Sequence, residues 1–259
     1  MRFEKHCWAE IDLDALLNNY RFIRRTVGGD VCAVLKADAY GHGALAVADA
    51  LRAAGCAAFA VSCLAEAREL RRHGLTEPLL ILGYTDPAFA DELAALHITQ
   101  ALFSTEYARA LSEAAAQAGC TVCCHLKADT GMGRIGFSLR SDFDDAVQEM
   151  EACYALPGIR ITGVFQHFAV ADSLEADDIA YTATQHELFA RLLARLQADG
   201  FDTGVTHCAN SAAQLLHPEW RCDLVRAGII LYGLAPSGQV GSPELHPVMK
   251  LKAVVTHLK

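Results

Sequence analysis

A lysine, Lys36, closes the apolar run Val31-Cys32-Ala33-Val34-Leu35, and a turn carrying Gly41 and Gly43 follows it. A lysine leaving a strand end has two readings. It can snorkel its charge into water over an apolar stem. Alternatively its amine can sit in a pocket, where desolvation lowers its pKa and frees a lone pair to form a Schiff base with a carbonyl. The strand alone does not choose between them. Other reactive or binding residue types also close apolar runs further along: Lys127, Asp129 and Arg134; His167; His207, Asn210 and Ser211; and Arg226, Gly228 and Tyr232. A histidine at a strand end is commonly a satisfied core group. Asn210 and Ser211 have the residue types of a helix N-cap. Arg226 stands inside the apolar stretch Leu224–Leu234, where a guanidinium is costly unless it faces a partner.

These residues need elements to position them, and the hydrophobic pattern supplies them. It predicts an edge strand at 8–13 and then strands at 31–35, 57–62, 79–83, 99–103, 121–127, 159–167, 205–208 and 224–234. Helices are predicted at 15–26, with Asp14 as cap, and at 44–54, 64–73, 89–97, 105–118, 141–154, 182–198 and 211–216, several stopped by a glycine such as Gly74, Gly119 or Gly200. Runs without alternation are the mark of strands covered on both faces. Eight strands alternating with helices from Lys36 onward predict an α/β fold, a (β/α)8 TIM-type barrel. A doubly wound open sheet is the rival, and the chain shows no G-x-G-x-x-G after a strand. In such a barrel the strand C-termini form one functional face, and that rule gathers the residues above at one mouth.

The motifs carry a resemblance. Lys36-Ala37-Asp38-Ala39-Tyr40-Gly41-His42-Gly43 closely resembles the segment of alanine racemases that holds the pyridoxal 5'-phosphate (PLP) lysine, with eight consecutive positions in agreement. The stretch His125 to Gly136 resembles the family segment whose arginine contacts the cofactor's phenolic oxygen and the substrate carboxylate, which implies Arg134. Lys127 matches a family lysine that is carbamylated in some members; a salt-bridged structural lysine is the other reading. Gly163-Val164-Phe165-Gln166-His167-Phe168-Ala169 resembles the strand whose histidine lies near the opposite catalytic face, which implies that His167 supports a base. His207-Cys208-Ala209-Asn210-Ser211 resembles a phosphate-binding segment, with Ser211 on the phosphate and Asn210 beside it. The backbone N–H groups of Gly228 and Ile229 and the hydroxyl of Tyr40 would join them. Arg226 matches the arginine that hydrogen-bonds the pyridine nitrogen, with His207 as its neighbour. An arginine keeps its protons, so the nitrogen stays unprotonated and the ring is a weaker electron sink, which suits proton removal and return over transamination.

The resemblance therefore implies a PLP-dependent isomerase that interconverts L- and D-alanine, or L- and D-serine, through a Schiff base at Lys36 and two-base transfer of the α-proton. It implies a cytoplasmic homodimer that makes D-alanine for peptidoglycan precursors. The second base would be a tyrosine from the C-terminal domain of the partner subunit. A PLP carrier barrel without catalysis is the alternative of another class, and a PLP decarboxylase or aldolase on the same barrel is disfavoured by Arg134 and the lysine motif.

Composition agrees with this class. Of 259 residues, 53% are hydrophobic and 20% charged, which is ample for a large core. A formal charge of -9 argues against nucleic acid and anionic membrane surfaces as partners. No apolar stretch reaches the roughly 18 residues of a membrane span, and the chain start reads as lacking a signal segment. Ten cysteines without zinc spacing read as reduced structural thiols, several of them in apolar runs (Cys32, Cys123, Cys124, Cys208), and no metal site is expected. Residues 1–240 are expected to form the barrel domain, with strand 8–13. Residues 241–259 are expected to hold a linker and the first strand, 248–258, of a β domain cut short, on which basis this chain alone should racemise poorly. That strand needs a partner, and 8–13 is a candidate.

Overall fold

In the computed structural model, which describes residues 6–259, strand β1 (Cys7–Ile11) leads into helix α1 (Leu13–Val27). The chain's opening, read above for a signal segment, includes residues 1–5, which lie outside the described residues. Then come β2 (Asp30–Val34), α2 (Ala44–Ala53), β3 (Ala58–Val61), α3 (Leu64–Arg72), β4 (Leu79–Ile81), α4 (Ala90–Ala95) and β5 (Ile98–Leu102). After α5 (Thr105–Gln117) follow β6 (Val122–Asp129), the two-residue β7 (Phe137–Ser138) paired beside it, α6 (Phe143–Cys153) and β8 (Ile159–Phe165). The long α7 (Ala176–Ala198), β9 (Val205–His207), α8 (Ser211–Leu216) and β10 (Leu224–Ala227) complete the series before β11 (Met249–Ala253).

Eight strands run parallel in the order β10-β2-β3-β4-β5-β6-β8-β9. The ends of this sheet meet: the amides of Asp223 and Arg226 donate to the carbonyls of Thr206 and Ala209, each at 3.0 Å. The Asp223 carboxylate clamps the same seam by accepting from Thr206 N at 2.7 Å and from its hydroxyl at 2.6 Å. The sheet is thus a nearly closed (β/α)8 barrel and not an open doubly wound one. β11 pairs antiparallel with β1, from Cys7 opposite Ala253 to Ile11 opposite Met249, in a sheet separate from the barrel.

Side-chain alternation sorts each strand between two cores. Val31, Ala33 and Leu35 pack outward beneath the helices, while Cys32 and Val34 point inward and join Ala60 and Leu80 in a small apolar cluster. On β6 the outward set is Val122, Cys124, Leu126 and Ala128. His125 and Lys127 therefore face the barrel interior, opposite the apolar cluster. The interior is split, apolar on the side of β2–β4 and basic on the side of β6–β10. Gly163 on β8 makes room for this: a Cβ there would stand 2.6 Å from the His125 ring. Cys32, Cys124 and Cys208 are buried, but Cys123, on the other face of β6, is half-buried and accepts from Arg160 Nη2 at 3.1 Å.

Several boundaries differ from expectation. The cap of α1 is Asp12, not Asp14: Asp12 has extended backbone and its carboxylate accepts from Ala15 N. α7 begins at Ala176, six residues before the expected Thr182, with Asp177 and Asp178 favourably placed at its N-terminus. The last barrel strand stops at Ala227 and does not continue to Leu234. Gly228 departs from strand geometry (φ -110, ψ -105), and Ile229–Tyr232 form a 3-10 turn, so Tyr232 is not a strand residue. β11 is likewise shorter than the expected 248–258.

Candidate active site

Lys36 emerges at the C-terminal end of β2, and the four residues after it take an unusual path. Ala37, Asp38, Ala39 and Tyr40 all have φ between 53 and 55, a left-handed turn without a glycine. Left-handed backbone costs roughly 1–2 kcal/mol per L-residue, so the surroundings must hold it. Ala39 N donates back to Leu35 O (2.8 Å), Ala44 N to the Asp38 carboxylate (2.6 Å) and Ala37 N to Glu66 Oε1 (2.7 Å). His42 Nδ1 lies 2.9 Å from Ala39 O and 3.1 Å from Tyr40 O. Since carbonyls only accept, that nitrogen carries the proton. Tyr232 packs over both rings, 5.1 Å from Tyr40 and 4.5 Å from His42, and its hydroxyl donates to Val34 O.

The turn places Lys36 and Tyr40 on the wall of a cavity of about 280 Å³ at the barrel mouth. Lys127, Arg134, His167, Asn210, Ser211, Arg226 and Gly228 also line it, so most of the site residues expected from the sequence meet there, while Asp129, His207 and Tyr232 stand behind the wall. Ile229, on the 3-10 turn, also lies off the wall. The sequence reading missed Ser62 and Gly83 and the apolar side formed by Leu82, Ile135 and Phe165. Ser62 and Gly83 close strand runs, and the strand-end rule alone would have found them.

Four basic side chains line this cavity, and no carboxylate does, in a chain of formal charge -9. The electrostatics follow. Burial lowers the pKa of Lys36, Arg134 lowers it further, and Glu66 opposes the shift. Lys127 is buried, with Arg226 and Arg134 nearby, and its amine is brought down to about 7 against the pull of Asp129. It donates to Ala128 O at 2.7 Å and has no ion pair within 4 Å among the described residues, so the salt-bridge reading of this lysine is not realised.

Arg226 is buried and fully engaged at its terminal nitrogens. Nη1 donates to His207 O (2.9 Å) and faces His207 Nδ1 (2.8 Å); Nη2 donates to Gln166 O (2.6 Å) and Cys208 O (3.2 Å) and lies 3.3 Å from His167 Nδ1. These three carbonyls lie at the ends of β8 and β9. Burial and the neighbouring Arg226 hold His207 and His167 well below the usual histidine range, and His125 at about 4.

Asn210 caps α8, its side chain accepting from Ala213 N at 3.1 Å, and Ser211 Oγ accepts the Gly228 N–H at 3.1 Å. A Cβ on Gly228 would lie 2.7 Å from the Tyr40 hydroxyl, so only glycine fits against that oxygen. Arg134 rides a loop shaped by Asp129, whose carboxylate accepts from the amides of Gly131 and Gly133. Tyr181 of α7 fastens that loop by donating to Gly131 O at 2.7 Å.

A nearly closed parallel barrel, with a half-buried lysine and three more basic side chains on a cavity at its strand C-termini, defines a protein of the (β/α)8 class whose site has the charge to suit an anionic ligand. Comparison with known proteins gives the family: residues 11–236 match the family model of the alanine racemase N-terminal domain, and the chain belongs to that family. It is 45% identical over 260 residues to an alanine racemase of Desulfovibrio desulfuricans, covering 99% of this chain and 68% of that protein. The structure of an alanine racemase of Clostridium difficile 630 in complex with cycloserine superposes with a TM-score of 0.92 at 38% identity, over 100% of this chain and 70% of that one. A histidine racemase of Leuconostoc mesenteroides superposes at 0.85 with 33% identity, over 99% of this chain and 68% of that one. Among the described residues no helix is long and apolar enough to cross a membrane.

Proposed function

We propose that this chain is the cofactor-binding barrel of a PLP-dependent racemase that interconverts L- and D-alanine. The observation that carries the proposal is the cavity itself: a half-buried lysine amine facing a wall of basic side chains with no carboxylate among them. The fit to PLP is chemical. A phosphate needs N–H and O–H donors, and Tyr40, Ser211 and Gly228 converge at one end. An aldehyde needs a partly neutral amine, and burial favours that form of Lys36. When bound, PLP supplies the electron sink that stabilises charge at the substrate α-carbon.

The roles of the chain's residues follow from their places. Lys36 binds the cofactor covalently and takes or returns the α-proton on one face. Tyr40, Ser211, Asn210 and the backbone of Gly228 hold the phosphate, with the Ile229 amide one residue behind the wall. Arg226, held by three carbonyls and His207, keeps its Nε–H for the ring nitrogen. Arg134 orients the substrate carboxylate. His167, neutral beside Arg226, supports the opposite side of the site. Inversion requires a second proton-transfer group on the opposite face. Tyr232 has its hydroxyl on Val34 O, and the Tyr40 hydroxyl lies against Gly228. The second group in this reading is a tyrosine of a partner subunit in a cytoplasmic homodimer, which supplies D-alanine for peptidoglycan precursors. Alanine is the substrate named for the relatives from Desulfovibrio desulfuricans and Desulforamulus reducens.

The test is proton exchange. Protein reconstituted with PLP and incubated in D₂O with L-alanine and, separately, D-alanine should exchange the α-hydrogen of the enantiomer whose proton faces Lys36, read by NMR, with the chirality of the product read by an enantiomer assay. Failure to exchange either enantiomer contradicts a racemase barrel and favours a carrier.

A further inference from the structure

We propose that Glu66 is a positioning residue for the Lys36 amine: its carboxylate spans two βα loops and fixes the left-handed turn on which Lys36 stands. Glu66 lies in the first turn of α3, two residues after Leu64. A glutamate at that position commonly serves its own helix end. Here Oε2 does so, accepting from Ser62 N at 2.7 Å and from the Ser62 hydroxyl at 2.9 Å. Oε1 crosses to the neighbouring loop and accepts from Ala37 N at 2.7 Å.

That second bond is the unusual one. Ala37 opens the run of four left-handed residues, and its N–H belongs to the peptide that joins it to Lys36. One carboxylate therefore ties the lysine's own backbone to Ser62 on the cavity wall. Charge-assisted bonds of this kind are roughly twice as strong as neutral ones, which suits a strained segment that must not relax. Glu66 is also the anion opposing a field otherwise set by cations. The charged and titratable groups facing the Lys36 amine are Glu66 from α3, Arg134 from the loop after β6, Tyr40 from its own turn, with its ring 5.7 Å from Nζ, and His167 from the end of β8. Glu66 makes no ion pair with Lys36 within 4 Å, so it holds the amine's place without capturing its proton.

The inference rests on Lys36 being the cofactor-binding amine, but its first readouts do not need cofactor. In the full chain, amide hydrogen exchange should show Ala37 N–H protected, although Ala37 itself is exposed. In Glu66→Gln protection of the Ala37 or the Ser62 amide should fall, because the carboxamide NH₂ must face one of the donors the carboxylate serves. Competitive acylation of lysines across pH, read peptide by peptide, should give Lys36 a lower midpoint in Glu66→Gln, with Lys250 unchanged as control. PLP retention should weaken about tenfold, the factor corresponding to about 1.4 kcal/mol, and Glu66→Asp should recover neither cross-loop bond nor retention in full. An unprotected Ala37 amide in the unaltered chain overturns the proposal, whatever the variants do. So does a Glu66→Gln protein with the Lys36 midpoint and PLP retention of the unaltered chain. Either result leaves the cofactor-lysine assignment standing on its own test.

Discussion

Arg226 Nη1 and His207 Nδ1 lie 2.8 Å apart, and this contact fixes the protonation of two histidines. A guanidinium only donates, so His207 Nδ1 offers its lone pair and the ring's proton sits on Nε2. His207 Nε2 in turn lies 3.0 Å from His125 Nδ1, which must accept. A line of neutral, oriented rings thus runs from Arg226 into the barrel interior, and burial keeps it uncharged. The guanidinium is held in one charge state and one orientation at the place where the family resemblance puts a pyridine nitrogen.

Replacing Arg226 by glutamate reverses that charge and offers the cofactor nitrogen a proton. In the complete enzyme, Arg226→Glu should racemise more slowly and show a long-wavelength absorbance with alanine that the unaltered protein lacks. It should also be less stable, by about 3 kcal/mol or more, because the carbonyls of Gln166, His207 and Cys208 lose their donor in a buried site. Absorbance spectra and urea unfolding check the two parts. An unchanged spectrum and rate would make Arg226 a structural residue only.

Gly228 and Tyr40 should behave as a pair. A methyl at 228 meets the Tyr40 hydroxyl at 2.7 Å. Overpacking of this kind costs roughly 1–3 kcal/mol, so Gly228→Ala should weaken PLP binding about tenfold or more. Removing the hydroxyl in Gly228→Ala/Tyr40→Phe should recover part of the loss. Fluorescence titration with PLP measures all three proteins; equal affinities for the single and double variants would show that the contact is irrelevant to the cofactor.

Lys127 should react with carbon dioxide. Only a neutral amine forms a carbamate, and with its midpoint near 7 the neutral form grows as pH rises through that value. The carboxylate so formed would face Arg226 and Arg134, turning repulsion into attraction. Native mass spectrometry in bicarbonate at pH 8 should show one CO₂ adduct, localised to Lys127, shed on acidification and absent from Lys127→Met. No adduct under these conditions would refute the reading.

The parts of this molecule that were legible in the sequence are those set by local pattern. Buried runs such as 31–35 and 79–83 mark barrel strands because both faces are covered, and Gly74, Gly119 and Gly200 stop helices because they adopt positive φ. Cavity residues were legible where a motif or an isolated charge in an apolar strand marked them, as with Lys36 and Arg226. What escaped depends on distant contacts. The left-handed turn at 37–40 contains no glycine and is held by Glu66 and Tyr232, from elsewhere in the chain. The choice of Asp12 over Asp14 as cap is decided by backbone geometry at the entry from β1, where Asp12 N also donates to Val248 O. The apolar wall of Leu82, Ile135 and Phe165 carries no chemical signature, and only closure of the barrel brings it to the site.

The central claim is that Lys36 is the amine that binds the cofactor, and its most direct test is covalent trapping. Protein incubated with PLP, reduced with borohydride, digested and mapped by mass spectrometry should carry the phosphopyridoxyl group on the peptide containing Lys36, and Lys36→Ala should carry none there. Label on Lys127 or a surface lysine, with Lys36 unmodified, would contradict the account.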